Sequence, residues 1–451
     1  MTDGEETPGE STRSWWRKPL WTCLALVAGG AVWLGWLLRD IPPPDVSDLA
    51  IERRDLQPER NAYGPFERAA AVSVWVNWSA DQTRIKDYLG GKPVDTAPIL
   101  DLFAKNEEAL RLIREGLECE ACIRPRESLI SRASPLSRWR NLGKLMAADT
   151  MRLRLDGNRA EAVDAALAQV RFGDLVTGGA GDLMQWLTGC WLVVDGLDSC
   201  EALARDPAAT EQELARIATV LGALEPPGRS LVPALKAEYW EVDRLIGRIE
   251  QGSCPLRELR GDGPEWVDLE SLLGGCLFAP NRSRAWVADS FRREIAGCGM
   301  TYAACMGKRD EPKGDRLDSF ERLRRSVGFD RAMLQNRYGL EEGFSGVKSY
   351  AECLLSGTRL VVAVRRFELR TGHLPARLED LVPDELAAVP QDPYDGGPFR
   401  YSQENGIVYA VGKDLADSGG SEKTPIGNKS RSRHFSDAKD QVFRFKEEAP
   451  P

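Results

Sequence analysis

The chain has 451 residues, a net charge of −9 and a hydrophobic content of 42%. This length allows two or three domains and a sizeable core. The acidic balance, with both signs interspersed, argues against nucleic acid as a partner, because phosphate recognition needs clustered Lys and Arg. A His-based zinc protease or a Ser-His-Asp hydrolase would have to use His373 or His434, the only histidines, and both lie in polar loop contexts.

The first predicted element is a transmembrane helix. Residues 20–38 form a run of 19 uncharged residues, bounded by Arg17 and Lys18 on one side and by Arg39 on the other. A helix of this length spans about 28 Å, close to the roughly 30 Å of a bilayer core. Tryptophans cluster at its ends, as they do at membrane interfaces. We therefore predict an N-terminal tail at 1–18 and an anchor at 19–39.

A buried core helix and a cleaved signal peptide are the alternatives to this anchor. Cleavage after the small residues at 28–30 would leave an apolar stretch at the new N-terminus, so an uncleaved signal anchor is favoured. Lys and Arg are balanced on the two sides of the helix and do not decide its orientation. We expect a cytoplasmic N-terminus and an extracytoplasmic body, with the Pro-rich segment 40–59 as a stiff spacer.

From about residue 60 to 345, apolar residues recur with a helical period, which predicts a domain of helical hairpins with a solenoid-like character. Thr210 and Glu213 match a capping box at the start of one helix, and Pro226 marks its end. The stretch 139–176 predicts a helical hairpin that turns at residues 156–158. This hairpin resembles a tetratricopeptide unit, but no second copy follows at a fixed period.

Ten cysteines leave several possibilities open. Beyond Cys23, nine could form up to four disulfides in an oxidising compartment. Cys119 and Cys122 form the only C-x-x-C, for which a local disulfide, two unpaired thiols, or a metal or redox site are the alternatives. Cys298 and Cys305 fall on one face of a predicted helix, about 10 Å apart along its axis, which is too far for a bridge.

After the helical domain, the sequence predicts a small α+β module at 348–420. A long helix over 348–371 ends at Gly372, and a short helix follows at about residue 378. Two strands, 399–402 and 407–411, flank an Asn-Gly turn and form an antiparallel hairpin. The segment 440–446 is a candidate third strand. The polar insert 421–439 before it is predicted to be mobile, and residues 447–451 form a tail. The predicted fold class is therefore mainly α.

The end of this module resembles the C-terminal half of the major pseudopilins of type II secretion systems. In those proteins a long helix precedes G-x-L-P, then P-x-D-P-x-x-G-x-P-x-x-Y, and then a strand ending in Y-x-x-G-x-D. The matching residues are Gly372, Leu374, Pro375, Pro390, Asp392, Pro393, Gly396, Pro398, Tyr401, Tyr409, Gly412 and Asp414. A pilin has its membrane segment at the start of this same helix, whereas about 300 residues intervene here. The resemblance therefore does not extend to fibre assembly.

More of the chain is similar to a broad group of uncharacterised bacterial membrane-anchored proteins, common in planctomycetes. These proteins carry an N-terminal anchor, a helical body and the same ending. The segments that carry the likeness are "RNAYGPFERA", "AKNEEALRLIREGL", "LDGNRAEAVDAALAQVRFGDLV" and "FAPNRSRAWVADSFR". The likeness implies an architecture and a membrane location, but it brings no activity with it.

Candidate sites are few. Major pseudopilins bind calcium in the loop after the Y-x-x-G-x-D motif, so the resemblance implies a calcium site at Asp414, Asp417 and Ser418. Calcium takes six to eight oxygen ligands, so two carboxylates make a weak site, and a solvated turn is the alternative. The S-x-x-K motif from Ser345 to Lys348 lacks its companion motifs and is attributed to chance. No catalytic or cofactor-binding residue is predicted.

These features predict a membrane-anchored, extracytoplasmic scaffold or interaction protein that is not an enzyme. Its expected partners are the lipid bilayer, through residues 20–38, and other proteins of the cell envelope. The alternative is a membrane-tethered hydrolase that uses acidic residues in a cleft of the helical domain. A deep pocket with two convergent carboxylates would favour the hydrolase, and a shallow groove between helices would favour the scaffold.

Overall fold

Helices dominate the structure, a computed structural model that describes residues 21–22, 24, 26–29, 39–51, 56–74, 78–90, 92–124, 135–179, 181–253, 278–310, 341–421 and 439–446. Within these residues there are twelve helices and, near the C-terminus, a three-stranded antiparallel sheet. The mainly helical class with a small C-terminal sheet is therefore confirmed.

The helices are α1 Tyr63–Val72, α2 Trp78–Leu89, α3 Ala97–Lys105, α4 Glu107–Leu117, α5 Leu136–Leu155, α6 Arg159–Thr177, α7 Leu183–Arg205, α8 Glu211–Ala223, α9 Pro227–Glu250, α10 Pro280–Gly297, α11 Tyr302–Asp310 and α12 Glu341–Thr371. Single 3₁₀ turns lie at Ser47–Leu49, Pro58–Arg60 and Leu378–Leu381. The predicted hairpin over 139–176 is present as α5 and α6, joined at residues 156–158.

The predicted anchor at 19–39 lies mostly outside the described residues. In the part of the chain that the structure describes, no helix combines the length and the apolar character needed to cross a membrane. The predicted polar insert and the C-terminal tail also fall almost entirely outside the described ranges.

Contacts divide the chain into two units. The smaller unit comprises residues 1–46, 242–289 and 315–337. In this unit, the carboxylate of Asp40 accepts hydrogen bonds from the backbone N–H groups of Asn281 and Arg282, at 2.7 and 3.1 Å. These amides belong to the first turn of α10, where backbone donors have no partner within the helix. The first residue of the predicted spacer is therefore tied to a helix.

The larger unit comprises residues 47–241, 290–314 and 338–451, and its described part has two hydrophobic clusters. One cluster is formed mainly by α1–α6 and is centred on aromatic rings. The rings of Tyr63, Phe66, Trp139 and Phe172 meet edge to face, with centroids 4.6 to 6.4 Å apart. The indole N–H of Trp139 donates to the carbonyl of Phe66 at 2.7 Å, so the buried ring has a partner for its polar atom.

The second cluster joins the helical body to the C-terminal module. Buried side chains of α6, α7 and α8 pack in it with those of α12 and the sheet. The Phe443 ring lies over Gly357 of α12, so close that a Cβ atom on Gly357 would fall 2.4 Å from it. The helical body and the module therefore share one core. The predicted boundary near residue 345 falls inside α12.

The sheet has the order β1 Arg400–Ser402, β2 Ile407–Val411 and β3 Asp440–Arg444, with both pairs antiparallel. The hairpin and the third strand were all predicted, and all are present. The central strand, β2, is buried along its length except at Tyr409, and α12 packs against the sheet. Gly372 ends α12 with a φ of +78°, a conformation that glycine adopts without strain.

One predicted helix is wrong. Cys298 and Cys305 were expected on a single helical face, but α10 ends at Gly297 and α11 begins at Tyr302. The glycines in "AGCGM" interrupt the helix. The prediction overlooked them because the apolar periodicity continues across this stretch. Both thiols are free, as are all seven cysteines among the described residues. Cys119 and Cys122 are thus two unpaired thiols in this structure.

The capping box at α8 is confirmed. The N–H of Glu213 donates to the Thr210 hydroxyl at 3.3 Å, and the N–H of Thr210 donates to the Glu213 carboxylate at 2.9 Å. We expect Thr210→Ala to lower the free energy of unfolding by about 1 kcal/mol, because the backbone N–H of Glu213 loses its acceptor. Urea unfolding measures this, with exposed, mid-helix Thr219→Ala as the control. Equal stabilities of the two variants would contradict the capping role.

Candidate functional site

A cavity of about 510 Å³ lies in the larger unit. Its wall is formed by four separate segments: residues 226–232 at the start of α9, 295–301 from the end of α10 to the residue before α11, 348–359 of α12, and 390–393 of the C-terminal module. Most of the lining is apolar, with a few charged side chains. A volume of roughly 300–1,000 Å³ and this kind of lining are typical of sites for small ligands.

A buried ion pair connects three of these segments. Lys348 and Glu352 lie one turn apart on α12, with Nζ 3.5 Å from the Glu352 carboxylate. The Lys348 ammonium also donates to the carbonyl of Met300 at 2.5 Å, and the other Glu352 oxygen accepts from the N–H of Gly228 at 3.1 Å. Burial raises the pKa of Glu352, while the charge of Lys348 acts in the opposite direction. The pair therefore holds the wall together.

The second carboxylate of the wall belongs to Asp392, which is fully buried. It accepts hydrogen bonds from the N–H groups of Tyr394 and Val411, both at 2.8 Å, and from Nη1 of Arg400 at 2.5 Å. Burial raises the pKa of Asp392, whereas these donors favour its ionised form. Fixed donors thus hold both carboxylates of the wall, and each has a structural role in the fold.

Arg359 of α12 is a further charged residue of the wall. Its Nε and Nη2 groups donate to the carbonyls of Leu221 and Leu224 at the C-terminal end of α8, at 2.5 to 2.9 Å. The Leu221 carbonyl also accepts from the N–H of Leu224 at 3.3 Å, and the guanidinium adds further donors to this helix end, so it caps the helix. Burial lowers the pKa of Arg359. Arg229 also lines the cavity and pairs with Glu225 at 2.9 Å.

The predicted calcium residues lie in the loop after β2. Asp414 accepts from the N–H of Ala416, and Asp417 accepts from the N–H of Gly419. The N–H of Ser418 donates instead to the buried carboxylate of Asp440, which also accepts from the N–H groups of Gly420 and Ser421. No group of three or more metal-ligating side chains occurs within the described ranges. The calcium site stays a prediction.

The S-x-x-K motif and His373 do not share a site, because Lys348 lines the cavity and His373 does not. Lys348 of the S-x-x-K motif is committed to the ion pair with Glu352, so it cannot serve as a free base. His373 is exposed, and its ring lies 5.7 Å from that of Phe367, while His434 is outside the described residues. Glu352 was missed, although a Lys–Glu pair four residues apart in the apolar stretch "FSGVKSYAECLL" is a readable signal.

A second group of charges surrounds Asp195 of α7, away from the cavity wall. Burial raises the pKa of Asp195 to about 7, and the neighbouring charge of Asp198 adds to this rise. Lys144 and Arg140 of α5 act in the opposite direction. The Arg140 guanidinium also lies 5.2 Å from the centre of the Trp191 ring, a cation–π contact. Asp195 is thus the carboxylate of this group whose charge changes near neutral pH.

We expect stability to depend on pH through Asp195. Its folded pKa of about 7 exceeds the unfolded value of about 3.9, so the folded chain holds an extra proton between these values. The contribution of Asp195 to stability therefore falls as pH rises from about 4 to 7, and is constant above. Asp195→Asn should remove this slope and stabilise the protein at pH 8 by about 1–2 kcal/mol, since the residue is only half-buried. Urea unfolding at pH 5 and 8 tests this; an equal difference from wild type at both values would contradict it.

Comparison of the chain with models of protein families, with curated proteins and with solved structures gave no match.

Proposed function

We propose that the protein is a single-pass, membrane-anchored binding protein whose body faces the extracytoplasmic side and engages a partner through the cavity beside α12. The anchor is residues 20–38, and the body is the helical domain with its pseudopilin-like module. Other envelope components are the proposed partners. The role is that of an interaction protein and not of a hydrolase.

The hydrogen bonds and ion pairs of the two carboxylates in the cavity wall are the main support for a binding role over a hydrolytic one. A hydrolase that works with an acid pair needs one carboxyl to donate a proton and another to act as base or nucleophile. Glu352 is bound to Lys348 and to the Gly228 amide, and Asp392 is bound to two amides and Arg400. Protonating or displacing either group would break contacts that hold the wall. The arrangement therefore favours binding over acid–base chemistry.

Site-specific photo-crosslinking in intact membranes tests the proposal. A photo-reactive amino acid replaces Arg229, a cavity residue with a side chain that is 72% exposed. The control position is Leu155, which is 62% exposed and does not line the cavity. We expect a discrete crosslinked product from position 229 and none from position 155. Filling the cavity with Ser356→Phe should abolish the product, because Ser356 lines the same space.

The membrane part of the proposal is tested by extraction in alkaline carbonate. The full-length protein should stay in the membrane pellet, because about 19 apolar residues in a bilayer are not released by high pH. Release into the supernatant would contradict the anchor. Identical crosslinking from positions 229 and 155, or crosslinking that persists with Ser356→Phe, would contradict binding at the cavity.

A further inference from the structure

Every charged residue of the cavity wall except one has a partner of opposite charge. The wall contains three cations and two carboxylates. Lys348 pairs with Glu352, and Arg229 pairs with Glu225. Asp392 pairs with Arg400, which also pairs with Asp395 and Asp417. Arg359 has no carboxylate partner among the described residues, and no charged neighbour affects its pKa. Within the described part of the chain, Arg359 is thus the charged residue of the wall that forms no ion pair.

The hydrogen bonds of Arg359 leave part of the guanidinium unused. Nε and Nη2 donate to the carbonyls of Leu221 and Leu224, and within the described ranges Nη1 donates to no acceptor. The end of α8 supplies about half an elementary negative charge, which orients the side chain but does not neutralise it. Arg359 is thus a half-buried cation that lines the cavity and has one free N–H donor group. An anion in the cavity could accept a hydrogen bond from this group.

The rest of the wall limits which anion fits. A single unpaired positive charge matches a monovalent anion, and one free nitrogen matches a contact to one carboxylate oxygen. A phosphate dianion would bring an excess of negative charge beside Glu352 and Asp392, which disfavours it. Apolar side chains line the remainder, among them Val232, Ile295 and Leu355. These groups suit an apolar body attached to the charged end.

We propose that the cavity beside α12 binds a carboxylate with an apolar body, and that Nη1 of Arg359 holds the carboxylate. This inference rests on the proposed function, in which the cavity is the binding site, and it adds the chemical class of the ligand. Two sources share this chemistry: a small aliphatic or aromatic acid, and the C-terminal end of a peptide with apolar last residues.

Isothermal titration of the purified full-length protein tests the inference. Two pairs of probes are used, each an acid and its amide. The first pair is 3-phenylpropanoate and its amide, and the second is the peptide acetyl-Leu-Phe with a free C-terminal carboxylate and with a C-terminal carboxamide. We expect the acid of at least one pair to bind with a Kd of about 0.1–1 mM, typical of ligands with about a dozen heavy atoms. Its amide should bind at least about 10-fold more weakly, because it lacks the charge that Arg359 recognises.

Variants assign the binding to the cavity. Arg359→Gln should weaken binding of the acid about 10- to 100-fold and remove the preference over the amide. Ser356→Phe should abolish binding while leaving the contacts of Arg359 to α8 in place, so the test remains decisive if Arg359→Gln does not fold. Arg216→Gln, at an exposed arginine of α8 outside the wall, should change nothing.

The results of these titrations distinguish the two sources of the carboxylate, and they also show whether the cavity binds a carboxylate at all. Binding of phenylpropanoate alone assigns a small acid, and tighter binding of the free peptide assigns a C-terminus. Equal binding of acids and amides, no binding of any probe, or binding that survives Ser356→Phe would overturn the inference. Failure of the proposed function would be seen in other experiments, as release of the protein from membranes or as crosslinking that does not depend on the cavity. The titrations with purified protein are independent of those results.

Discussion

Asp392→Ala should lower the free energy of unfolding by about 3–5 kcal/mol, the range for removal of one member of a buried charge pair. The fully buried carboxylate joins two parts of the module: the Tyr394 amide on its own loop and the Val411 amide at the end of β2. Its removal leaves both amides without an acceptor and takes one of three carboxylates from Arg400. Urea unfolding followed by circular dichroism measures the loss.

Asp392→Asn should recover less than half of this loss. One carboxylate oxygen of Asp392 accepts from both Arg400 and Val411, and the amide nitrogen of asparagine cannot accept from either. The control is Asp414→Asn, because the exposed Asp414 side chain accepts only from the Ala416 amide through an oxygen that asparagine retains. Wild-type stability of Asp392→Asn would show that the buried carboxylate does not hold the module together.

Gly173→Ala should destabilise the protein by about 2–3 kcal/mol, since a well-packed helix contact cannot take an added methyl group without moving. Gly173 lies where α6 contacts α7. A Cβ atom here would fall 2.4 Å from the backbone nitrogen of Val193 and 2.9 Å from the carbonyl oxygen of Gly189. Both neighbours are main-chain atoms, so relief requires the helices to move apart. Thermal or urea unfolding measures the effect.

The matched control for this change is Gly222→Ala in α8. No atom lies within 4 Å of a Cβ placed on Gly222, and the residue is exposed. Alanine is the better helix former, so this variant should be stabilised by up to about 1 kcal/mol. If Gly173→Ala also proved neutral or stabilising, the close contact of α6 and α7 would be refuted.

The features that could be predicted from the sequence are those that local chemistry determines. Thr210 and Glu213 sit three residues apart at a helix start, and their side chains reach the backbone of the same turn. Gly372 ends α12 because its own φ is positive, and an Asn-Gly pair lies in the turn between β1 and β2. Such signals need no information about the rest of the fold.

The cavity could not be predicted because its wall comes from four segments that are distant in sequence. One ion pair brings together Gly228, Met300 and Lys348, and the spacing of these residues in the sequence does not indicate that they are in contact. The guanidinium of Arg359 reaches carbonyls about 135 residues earlier in the chain. The break between α10 and α11 was missed for another reason, because apolar periodicity continued across the glycines that interrupt it.

The central claim is that the helical body and the C-terminal module form the cavity together. Native-state hydrogen exchange of the full-length protein tests this claim most directly. The amides of β2, α6 and α7 should open with free energies within about 1 kcal/mol of one another, because these elements share one core. If the β2 amides opened with a free energy lower than those of α6 and α7 by more than about 2 kcal/mol, the module would unfold separately. That result would contradict a cavity built by both parts, and with it the proposed binding site.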